Sequence, residues 1–588
     1  MLRILLIWIV GILINFYFHV SLLEVTYLFI GLMVISLLIP SPLNISIVLL
    51  LGVMYLSVVY NKSYFVFRHT HPPAISSFVI KVVQAPKEKP KTWEVLGIMT
   101  QFNVNHTWQK PKLPWKVTCY FSKKFIKPHA GQIWAISDSV RPFDAPTFPY
   151  EKDWRVYHLG KGVIGSVFVH QKNAKVLRPF AVVSFQQYFQ KIQSYLLKSF
   201  QYLPSQKNRE VAEAMILGET QGIDGELQMA YSALGAVHIL SVSGMHLGIL
   251  FIVLQTIFGF FQKYIPQTKL LFFLLLLLII WAYAGLTGFS APVLRASWVF
   301  SFILFAKYFK QPIQSLNLLA SSCWFLLLIH PSDLFNPGFQ LSYLAVLGLI
   351  WFQPKLLGLI HVHKKKWTQK IGYFLWESTT VSISAQVLTL PLVIFYFYQM
   401  PNPVYFFLLN PFLLLISTIA LVASFMLVGL YPLVNTFNDP IFLEKAGYLV
   451  NLIYEIMHQV MLYFSRSNPV SISFLYLDWK ELLLVYFSIF MMVLWLKIRN
   501  VYLLWIFNFT VLYFSVQRLF LQPIQTTRQH FSKIVEFRKE IIGIKIKRDQ
   551  LLLVGPAKYV RDPKWFSQHI TPLAAKYHVS DTVSRGSQ

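Results

Sequence analysis

Long apolar runs separated by short polar connections dominate this chain. Runs at 4–18, 22–40 and 45–60 each approach the roughly 20 residues that a helix needs to cross a bilayer, and they predict three N-terminal membrane helices. Ten further runs follow, at 245–261, 269–288, 293–308, 314–330, 340–360, 372–398, 403–430, 441–464, 481–496 and 500–517. The pattern predicts a polytopic α-helical membrane protein.

The stretch between these two blocks has a different period. From 61 to 175, short runs of alternating apolar and polar residues are separated by Pro- and Lys-rich connections, which predicts a small β-barrel or sandwich. From 176 to 236, apolar residues recur at three- and four-residue steps, which predicts amphipathic helices on the membrane surface or under the barrel. We therefore divide the chain into N-terminal membrane helices (1–60), a barrel (61–175), interfacial helices (176–236), a second membrane block (237–520) and a basic tail (521–588).

Composition adds a charge imbalance to this apolar pattern. The 588 residues are 55% hydrophobic, with a mean hydropathy of +0.53, yet the formal net charge is +28, from 52 Lys and Arg against 24 Asp and Glu. The excess fits cytoplasmic loops that follow the positive-inside rule, or an anionic partner such as nucleic acid or anionic lipid. If Arg3 lies inside and every run crosses once, the basic loops share its side, and both 61–236 and the tail lie on the other.

Polar residues interrupt the start of the second membrane block. They are His238, Ser241, Ser243, Gly244 and His246. Polar groups are costly in hydrocarbon and usually face a bundle interior or a water-filled path, and a Gly flanked by Ser allows a helix to break where the backbone lines a cavity. The segment predicts a pore or a buried site. The two histidines are about two helical turns apart with no paired carboxylate nearby, so we predict no metal site.

Five motifs occur along the chain in a fixed order. They are DAPTFPYEKDWRVYHLGKG at 144–162, AYSALGAVHILSVSGMHLGIL at 230–250, YAGLTGFSAPVLRA at 283–296, NPGFQLSYLA at 336–345, and SAQ at 384–386 followed by LP at 390–391 and NP at 410–411. Together they resemble the ComEC family, the inner-membrane channels for DNA uptake in natural transformation. The first motif is the loosest match, because Pro149 stands where the family has an acidic residue.

The resemblance implies a channel that moves single-stranded DNA across the bacterial cytoplasmic membrane, with an OB-like extracytoplasmic domain. It also implies a cytoplasmic helicase-like ATPase and a periplasmic DNA-binding competence protein as partners, besides membrane lipids. Candidate residues of the DNA path are His238, Ser241, Ser243, Gly244, His246, Arg295, Gln340, Gln386 and Asn410. Each has a structural alternative: an Arg that snorkels to the interface, a structural His hydrogen bond, or an amide that joins two helices.

The outer stretch combines aromatic and basic residues, as a single-strand-binding OB-type domain requires. The candidates are Trp93, Trp108, Trp115, Tyr120, Lys112, Lys116, Lys123 and Lys124. The alternative is that about half of these aromatic residues belong to the core.

We expect no catalytic activity and no cofactor. The sequence has no phosphate loop, so the chain is not the motor, and it lacks the His-x-His-x-Asp-His cluster of a metallo-β-lactamase-like domain, which indicates a form of the family without that domain. Ser241 also replaces the Gly that an intramembrane serine protease motif would need. The alternative function is a polytopic membrane enzyme acting on lipid-linked glycans, which also combines many spans with a soluble loop and a buried Arg.

Overall fold

The computed structural model describes most of the chain. The described residues are 1–18, 24, 26–27, 29–31, 44–69, 75–83, 86–89, 91–104, 107–111, 115–124, 127–143, 146, 148, 151, 153, 155, 158, 161–178, 185–220, 222–360, 367–436, 440–465, 471–473, 475–516, 531–537, 540–547, 550–556, 565–566, 569–576 and 581–587.

Two N-terminal helices, α1 (Leu2–Tyr17) and α2 (Asn44–His69), pack side by side. They approach closely because a Cβ on Gly11 would lie 2.5 Å from the hydroxyl oxygen of Ser57. Ser57 Oγ donates to the carbonyl of Trp8 at 2.8 Å, so the helices are also joined by a buried hydrogen bond. Small residues and interhelical hydrogen bonds hold membrane helices together, because lipid provides no hydrophobic drive. Most of the predicted second run, 22–40, lies outside the described residues.

Eight strands form the sheet domain that follows. They are β1 (Ser77–Val82), β2 (Lys87–Glu88), β3 (Thr92–Val104), β4 (Thr107–Gln109), β5 (Lys116–Ser122), β6 (Ile133–Ile136), β7 (Val163–Val169) and β8 (Ala174–Arg178). The order is β7-β5-β3-β1-β6-β8, with β2 and β4 paired to β3, and every pair is antiparallel except β5 with β7. Side chains along each strand alternate between the two faces of the sheet. In β5, Val117, Cys119 and Phe121 are buried in the core, whereas Tyr120 lies on the other face.

The strand content agrees with the sequence pattern, and the described strands form a mixed sheet that does not close into a barrel. Among the described strands, β7 and β8 form the two ends of the sheet and do not pair with each other. Strand β8 takes the free edge of β6, where Ala174 pairs with Ile136, so β6 cannot pair with β7 along its length. A single bridge between Arg141 and Ser166 links the chain after β6 to β7.

Three helices connect the sheet domain to the second membrane block: α3 (Phe185–Leu197), α4 (Gln206–Leu217) and α5 (Gly225–Ala233). Helix α4 begins where Ser205 Oγ accepts from the amide of Asn208 and ends at Gly218, whose φ of 78° suits a residue without a Cβ. Its core residues pack against two helices far along the chain, α12 (Pro403–Thr436) and α13 (Pro440–Ser465). The amphipathic pattern predicted helices on the membrane surface or under the barrel for 176–236, and the structure encloses α4 against α12 and α13.

Ten helices occupy the ten apolar runs of the second block. They are α6 (Gly244–Tyr264), α7 (Lys269–Leu286), α8 (Ala291–Tyr308), α9 (Ser315–Ile329), α10 (Pro337–Leu357), α11 (Trp367–Phe397), α12, α13, α14 (Trp479–Ile498) and α15 (Val501–Val516). Among the described residues, five stretches are long and apolar enough to cross a membrane: Gly244–Tyr264, Pro266–Leu286, Gln369–Phe397, Leu409–Thr436 and Trp479–Ile498. A short pair of strands, β9 (Gln399–Pro401) and β10 (Ser471–Ser473), joins two connections of this block.

The C-terminal residues form a small unit that the sequence analysis missed. Its strands are β11 (Phe531–Phe537), β12 (Glu540–Lys547), β13 (Gln550–Pro556) and β14 (Asp581–Ser587), and it also contains helix α16 (Thr571–Lys576). Phe148, from the connection between β6 and β7, is buried in the core of this unit, with its ring centroid 5.5 Å from that of Trp565. Glu151 Oε1 also lies 2.8 Å from His569 Nδ1. These contacts join the described C-terminal residues to the sheet domain, and the side of the membrane on which both lie remains a prediction.

Candidate functional site

The interrupted segment lies where the chain turns from α5 into α6. A 3-10 turn covers Val237–Ile239, and α6 begins at Gly244. His238 and Ser241 are exposed. The surrounding protein atoms lower the pKa of the His238 imidazole, and a hydrogen bond with the backbone of Gly235 only partly offsets this. We call His238, Ser241, Ser243 and His246 the polar cluster.

The deeper residues of the polar cluster are buried with incomplete hydrogen bonding. His246 is 0% exposed, and its Nδ1 lies 3.0 Å from the carbonyl oxygen of Met215. The backbone N–H of Ser243 also points at Nδ1, at 3.4 Å. The shorter contact with the carbonyl favours the tautomer in which Nδ1 donates, and the neutral ring then has an acceptor at Nε2. Neither His246 Nε2 nor Ser243 Oγ has a hydrogen-bond partner among the described residues. A polar atom buried in this way costs about 1–3 kcal/mol, so both atoms are suited to a water molecule or a passing ligand.

The glycines of this segment have a packing role. A Cβ on Gly244 would lie 3.3 Å from the Cβ of Ala296, and one on Gly248 would lie 3.3 Å from the ring of Phe300. Both partners belong to α8, so α6 and α8 approach through small residues spaced four apart, as membrane helices commonly do. Gly244 therefore brings the backbones together rather than contacting a ligand.

Arg295 lies in the second turn of α8 and is only 7% exposed. Its guanidinium carbon is 6.0 Å from the ring centroid of Phe339, and its Nε has no hydrogen-bond partner among the described residues. Asp333 and Tyr343 act on it electrostatically, but no carboxylate of the described residues forms an ion pair with it. A head group enclosed between helices is not in the position that snorkelling to the interface requires. A buried cation without a partner is costly, which favours an anionic ligand at this point.

The three amides of the predicted path differ in their bonding. Gln340 uses both ends of its amide, since Nε2 donates to the carbonyl of Leu334 at 2.8 Å and Oε1 accepts from the hydroxyl of Tyr396 at 3.0 Å. Asn410 Nδ2 donates to Ser382 Oγ, which joins α12 to α11. Gln386 is half-buried and makes no hydrogen bond to a described residue. Gln340 and Asn410 join helices, and only Gln386 retains its full capacity for a ligand.

The outer aromatic candidates divide between the core and the surface. Trp93 and Trp115 pack against the core of the sheet, with the ring of Trp115 centred 4.8 Å from that of Phe102. Trp108 is 53% exposed. Tyr120 lies on the outer face, with its ring centroid 5.1 Å from that of Phe168 on the neighbouring strand, which is 56% exposed. The stacked pair of Tyr120 and Phe168 is the main aromatic platform of this face. Sequence analysis did not single out Phe168, although the alternation in β7 would have indicated it.

The basic candidates also separate. Lys123 Nζ pairs with Glu88 at 2.6 Å and lies 5.6 Å from the ring centroid of Trp93, while Lys124 is exposed. Lys112 lies outside the described residues. Lys116, at the start of β5, is half-buried, and both burial and the neighbouring Lys161 lower its pKa. Lys161 and Asp333, which act on Lys116 electrostatically, were not among the predicted residues, because both lie far from it in the sequence and no local pattern indicates them.

These features define a polytopic helical membrane protein with an N-terminal sheet domain and a cluster of polar residues at the start of its second membrane block. The chain belongs to the Competence protein family, whose model matches residues 215–527, more than half of its length. The family resemblance inferred from the motifs is thereby confirmed. The matched region contains every candidate residue of the DNA path and ends before β11.

Three similar proteins were compared with the chain. ComE operon protein 3 of Bacillus subtilis is 31% identical over 191 residues, which cover 32% of this chain and 22% of that protein. Recombination protein 2 of Haemophilus influenzae is 28% identical over 221 residues, 34% of this chain and 27% of that protein. An uncharacterized protein of Aquifex aeolicus is 26% identical over 290 residues, 48% of this chain and 60% of that protein. The chain thus spans less than two thirds of each relative. No solved structure matches the chain.

Proposed function

We propose that this chain forms a channel that passes single-stranded DNA across the bacterial cytoplasmic membrane during competence. The observation that carries the proposal is the set of buried polar atoms without described partners where the second membrane block begins: Ser243 Oγ, His246 Nε2 and Arg295 Nε. Polar atoms of this kind are retained in a membrane protein where a water-filled path or a ligand completes their bonding. Family membership supplies the biological setting, since competence is the state in which cells take up DNA.

The groups along this path have different tasks. His238 and Ser241 are exposed and would meet the strand first. Arg295 is the cation suited to phosphate oxygens. His246 presents an acceptor at Nε2 while its ring is neutral, which suits water or a base amino group better than a phosphate. The amide of Gln386 could hydrogen-bond to a phosphate or to a base. Gln340 and Asn410, in contrast, hold the surrounding helices in place.

The sheet domain is proposed to receive the strand. An OB-type fold is a partly open five-stranded barrel that binds oligonucleotides on the face of its second and third strands. Here β3 and β5 are the second and third of the five main strands, β1, β3, β5, β6 and β7. Tyr120 of β5, stacked on Phe168, lies on their outer face with Lys116. Stacked aromatic residues beside cations are what single-strand binding without sequence preference requires, and these features support the OB-like interpretation.

The same features favour a channel over an enzyme of lipid-linked glycans. A sheet with exposed aromatic residues favours nucleic acid as the ligand, whereas a helical loop with acidic or His residues at the membrane face would favour the enzyme. The described outer residues from 75 to 178 are mainly strands. A cytoplasmic helicase-like ATPase and a periplasmic DNA-binding protein remain proposed partners.

The proposal is tested by measuring in which compartment incoming DNA accumulates when the chain is absent. Cells of the source bacterium that lack the chain receive fluorescently labelled DNA, and label in the periplasm is measured separately from label in the cytoplasm. We expect DNA to reach the periplasm and stay there, and a plasmid copy of the chain to restore entry. Arrival of label in the cytoplasm at the normal rate without the chain would refute the proposal.

A further inference from the structure

A small cavity lies between α6, α7 and α8, at the ends of these helices that are remote from the polar cluster. Its volume is about 210 Å³, and the last turns of α6 and α8 and the first turns of α7 enclose it. Helix α6 begins beside the polar cluster, and its 21 residues extend about 32 Å, which is about the thickness of the hydrocarbon core of a bilayer. We therefore place the cavity at the membrane surface opposite to Ser243 and His246.

Two lysines line this cavity, and neutral groups hold their ammonium ends in place. Lys307 Nζ of α8 donates to Gln255 Oε1 of α6 at 3.1 Å. Lys269 Nζ of α7 donates to the backbone carbonyl of Tyr308 at 3.3 Å, and it lies 5.1 Å from the centroid of the Tyr308 ring. These contacts fix charges from two helices beside one cavity, and groups fixed in advance lose less freedom when a ligand binds.

No acidic residue balances the two lysines. The sequence has no Asp or Glu between Glu226 and Asp333, so α6, α7, α8 and their connections contain no side-chain carboxylate. Within the described part of the chain, neither lysine forms an ion pair with a carboxylate from another element. Lys307, in the last turn of α8, suits the negative end of the helix dipole, but Lys269 lies in the first turn of α7, where an anion is favoured instead. The cavity therefore favours an external anion.

The other lining residues provide polar groups and open space. Gln255 and Gln262 lie seven residues apart on one face of α6, and their amides can hydrogen-bond to phosphate or glycerol oxygens. Gly259 lies between them, and a Cβ there would have no neighbour within 4 Å, so this position leaves the cavity open. Outside the cavity, α6 and α7 expose an apolar surface, which includes Ile257, Phe260, Phe261, Leu270, Leu271 and Leu274.

We propose that this cavity binds the phosphate head group of an anionic phospholipid, with Lys269 and Lys307 as its cationic contacts. The cavity is smaller than the roughly 300–1,000 Å³ that encloses a drug-sized ligand, so it fits a head group and leaves the acyl chains along the exposed faces of α6 and α7. Basic pockets between membrane helices on the cytoplasmic side bind such head groups, and the alternation of basic loops predicts that this end faces the cytoplasm. A lipid is favoured over DNA because the cavity adjoins these apolar faces and lies far from the polar cluster.

The first test titrates the full-length protein in detergent micelles with dioleoyl phosphatidylglycerol, and native mass spectrometry measures the affinity of the first lipid that binds. We expect Lys269→Gln and Lys307→Gln each to weaken this binding by about fivefold, which is the effect of one lysine near an anionic lipid. Lys269→Arg keeps the charge and should keep most of the affinity. Gly259→Leu keeps both lysines but fills the cavity, so it should weaken the binding at least as much as the loss of one lysine does.

Two other lysines at the same helix ends provide matched controls. Lys263 and Lys310 are exposed and do not line the cavity, so Lys263→Gln and Lys310→Gln should bind the lipid as the wild type does. General attraction between basic loops and anionic lipid predicts a different result, in which these controls weaken the binding as much as Lys269→Gln and Gly259→Leu has no effect. Thermal transitions measured without added lipid show whether each variant is folded.

The second test uses thermal stability, because a ligand that binds only the folded protein raises the transition midpoint. Phosphatidylglycerol should raise the midpoint of the wild type, and dioleoyl phosphatidylcholine should not. Equal effects of the two lipids, or wild-type affinity in folded Lys269→Gln, Lys307→Gln and Gly259→Leu, would overturn the site. An equal effect of inorganic phosphate would make a free anion the ligand, and displacement of the lipid by oligothymidylate would make DNA the ligand; either result would overturn the lipid site. The channel proposal is tested separately, by the compartment in which DNA accumulates.

Discussion

Two helix interfaces in the second membrane block use the same packing device but differ in their polar groups. Between α10 and α11, a Cβ on Gly348 would collide with the carbonyl oxygen of Ser384, and Gln340 of α10 is fully hydrogen-bonded. Between α6 and α8, Gly244 and Gly248 allow a similar approach. However, α6 with its N-cap and α8 also carry Ser243, His246, Arg295 and Ser297, each of which buries a polar atom without a described partner.

The difference indicates which polar residues hold the block together and which serve a ligand. A satisfied polar pair between membrane helices adds modest stability, whereas each unsatisfied buried atom costs about 1–3 kcal/mol. A cluster of unsatisfied atoms at one interface therefore indicates a partner that comes and goes. The α10–α11 interface is structural, and the α6–α8 interface lies beside the proposed path.

The largest effect is expected from Gly348→Ala. The added methyl group would meet the backbone of Ser384, which cannot move without separating α10 from α11, and overpacking of this kind costs about 3 kcal/mol or more. We expect the protein level in membranes to fall sharply. Gly372→Ala in α11 is the matched control, because a Cβ there has no neighbour within 4 Å. Equal levels of both variants would show that the α10–α11 contact is not close.

Gln340→Leu should destabilise the protein by about 2 kcal/mol, because it leaves the carbonyl of Leu334 and the hydroxyl of Tyr396 without their partner. DNA uptake should fall only in proportion to the amount of protein. Uptake and abundance are measured on the same cells by labelled DNA and immunoblotting. A fall in uptake per molecule would move Gln340 from the structural group to the path.

In contrast to Gln340→Leu, His246→Leu should lower DNA uptake per molecule more than it lowers the amount of protein. The substitution removes the unpartnered Nε2, so we expect uptake per molecule to fall by about tenfold, which corresponds to the loss of about one hydrogen bond to the strand or its water. Thr256→Val on the same helix is the control, because the hydroxyl of Thr256 bonds only to its own helix at Ile252. Uptake that follows abundance in both variants would remove the polar cluster from the path.

The smallest effect is expected from Ser297→Ala. The hydroxyl of Ser297 is buried and makes no hydrogen bond to a described residue, so its loss removes a desolvation cost rather than an interaction. We expect thermal stability within about 0.5 kcal/mol of the wild type, or slightly higher. A clear loss of stability would show that the hydroxyl of Ser297 forms a stabilising hydrogen bond, and would contradict this prediction.

Local sequence patterns predicted which helices and strands form better than they predicted which other elements pack against them. The ten apolar runs became helices because each carries its own hydrophobic signal over several turns. Helix α4 has an amphipathic pattern that predicts a surface, but α12 and α13, almost two hundred residues later, enclose it. The strand pattern of β12, where Ile542, Ile544 and Ile546 alternate with other residues, was readable and was overlooked in a basic stretch.

The same distinction holds for the candidate site, whose location could be predicted from the sequence but whose hydrogen bonds could not. The motif residues indicated the correct neighbourhood, because a membrane helix with His and Ser near its start is unusual in itself. The sequence could not predict which of these residues form hydrogen bonds within the protein. The bonds of Gln340 to Leu334 and Tyr396 depend on a turn and on a second helix, neither of which the motif itself indicates.

The contact of Phe148 with the C-terminal unit has a consequence for biosynthesis. Its partners Trp565 and His569 emerge from the ribosome about 400 residues later, which at about 5–20 residues per second is a delay of tens of seconds. Throughout that interval the sheet domain has an uncovered aromatic side chain, while the second block of helices is being translated. Assembly thus includes a late closure, in which the C-terminal unit covers a side chain that was made long before it.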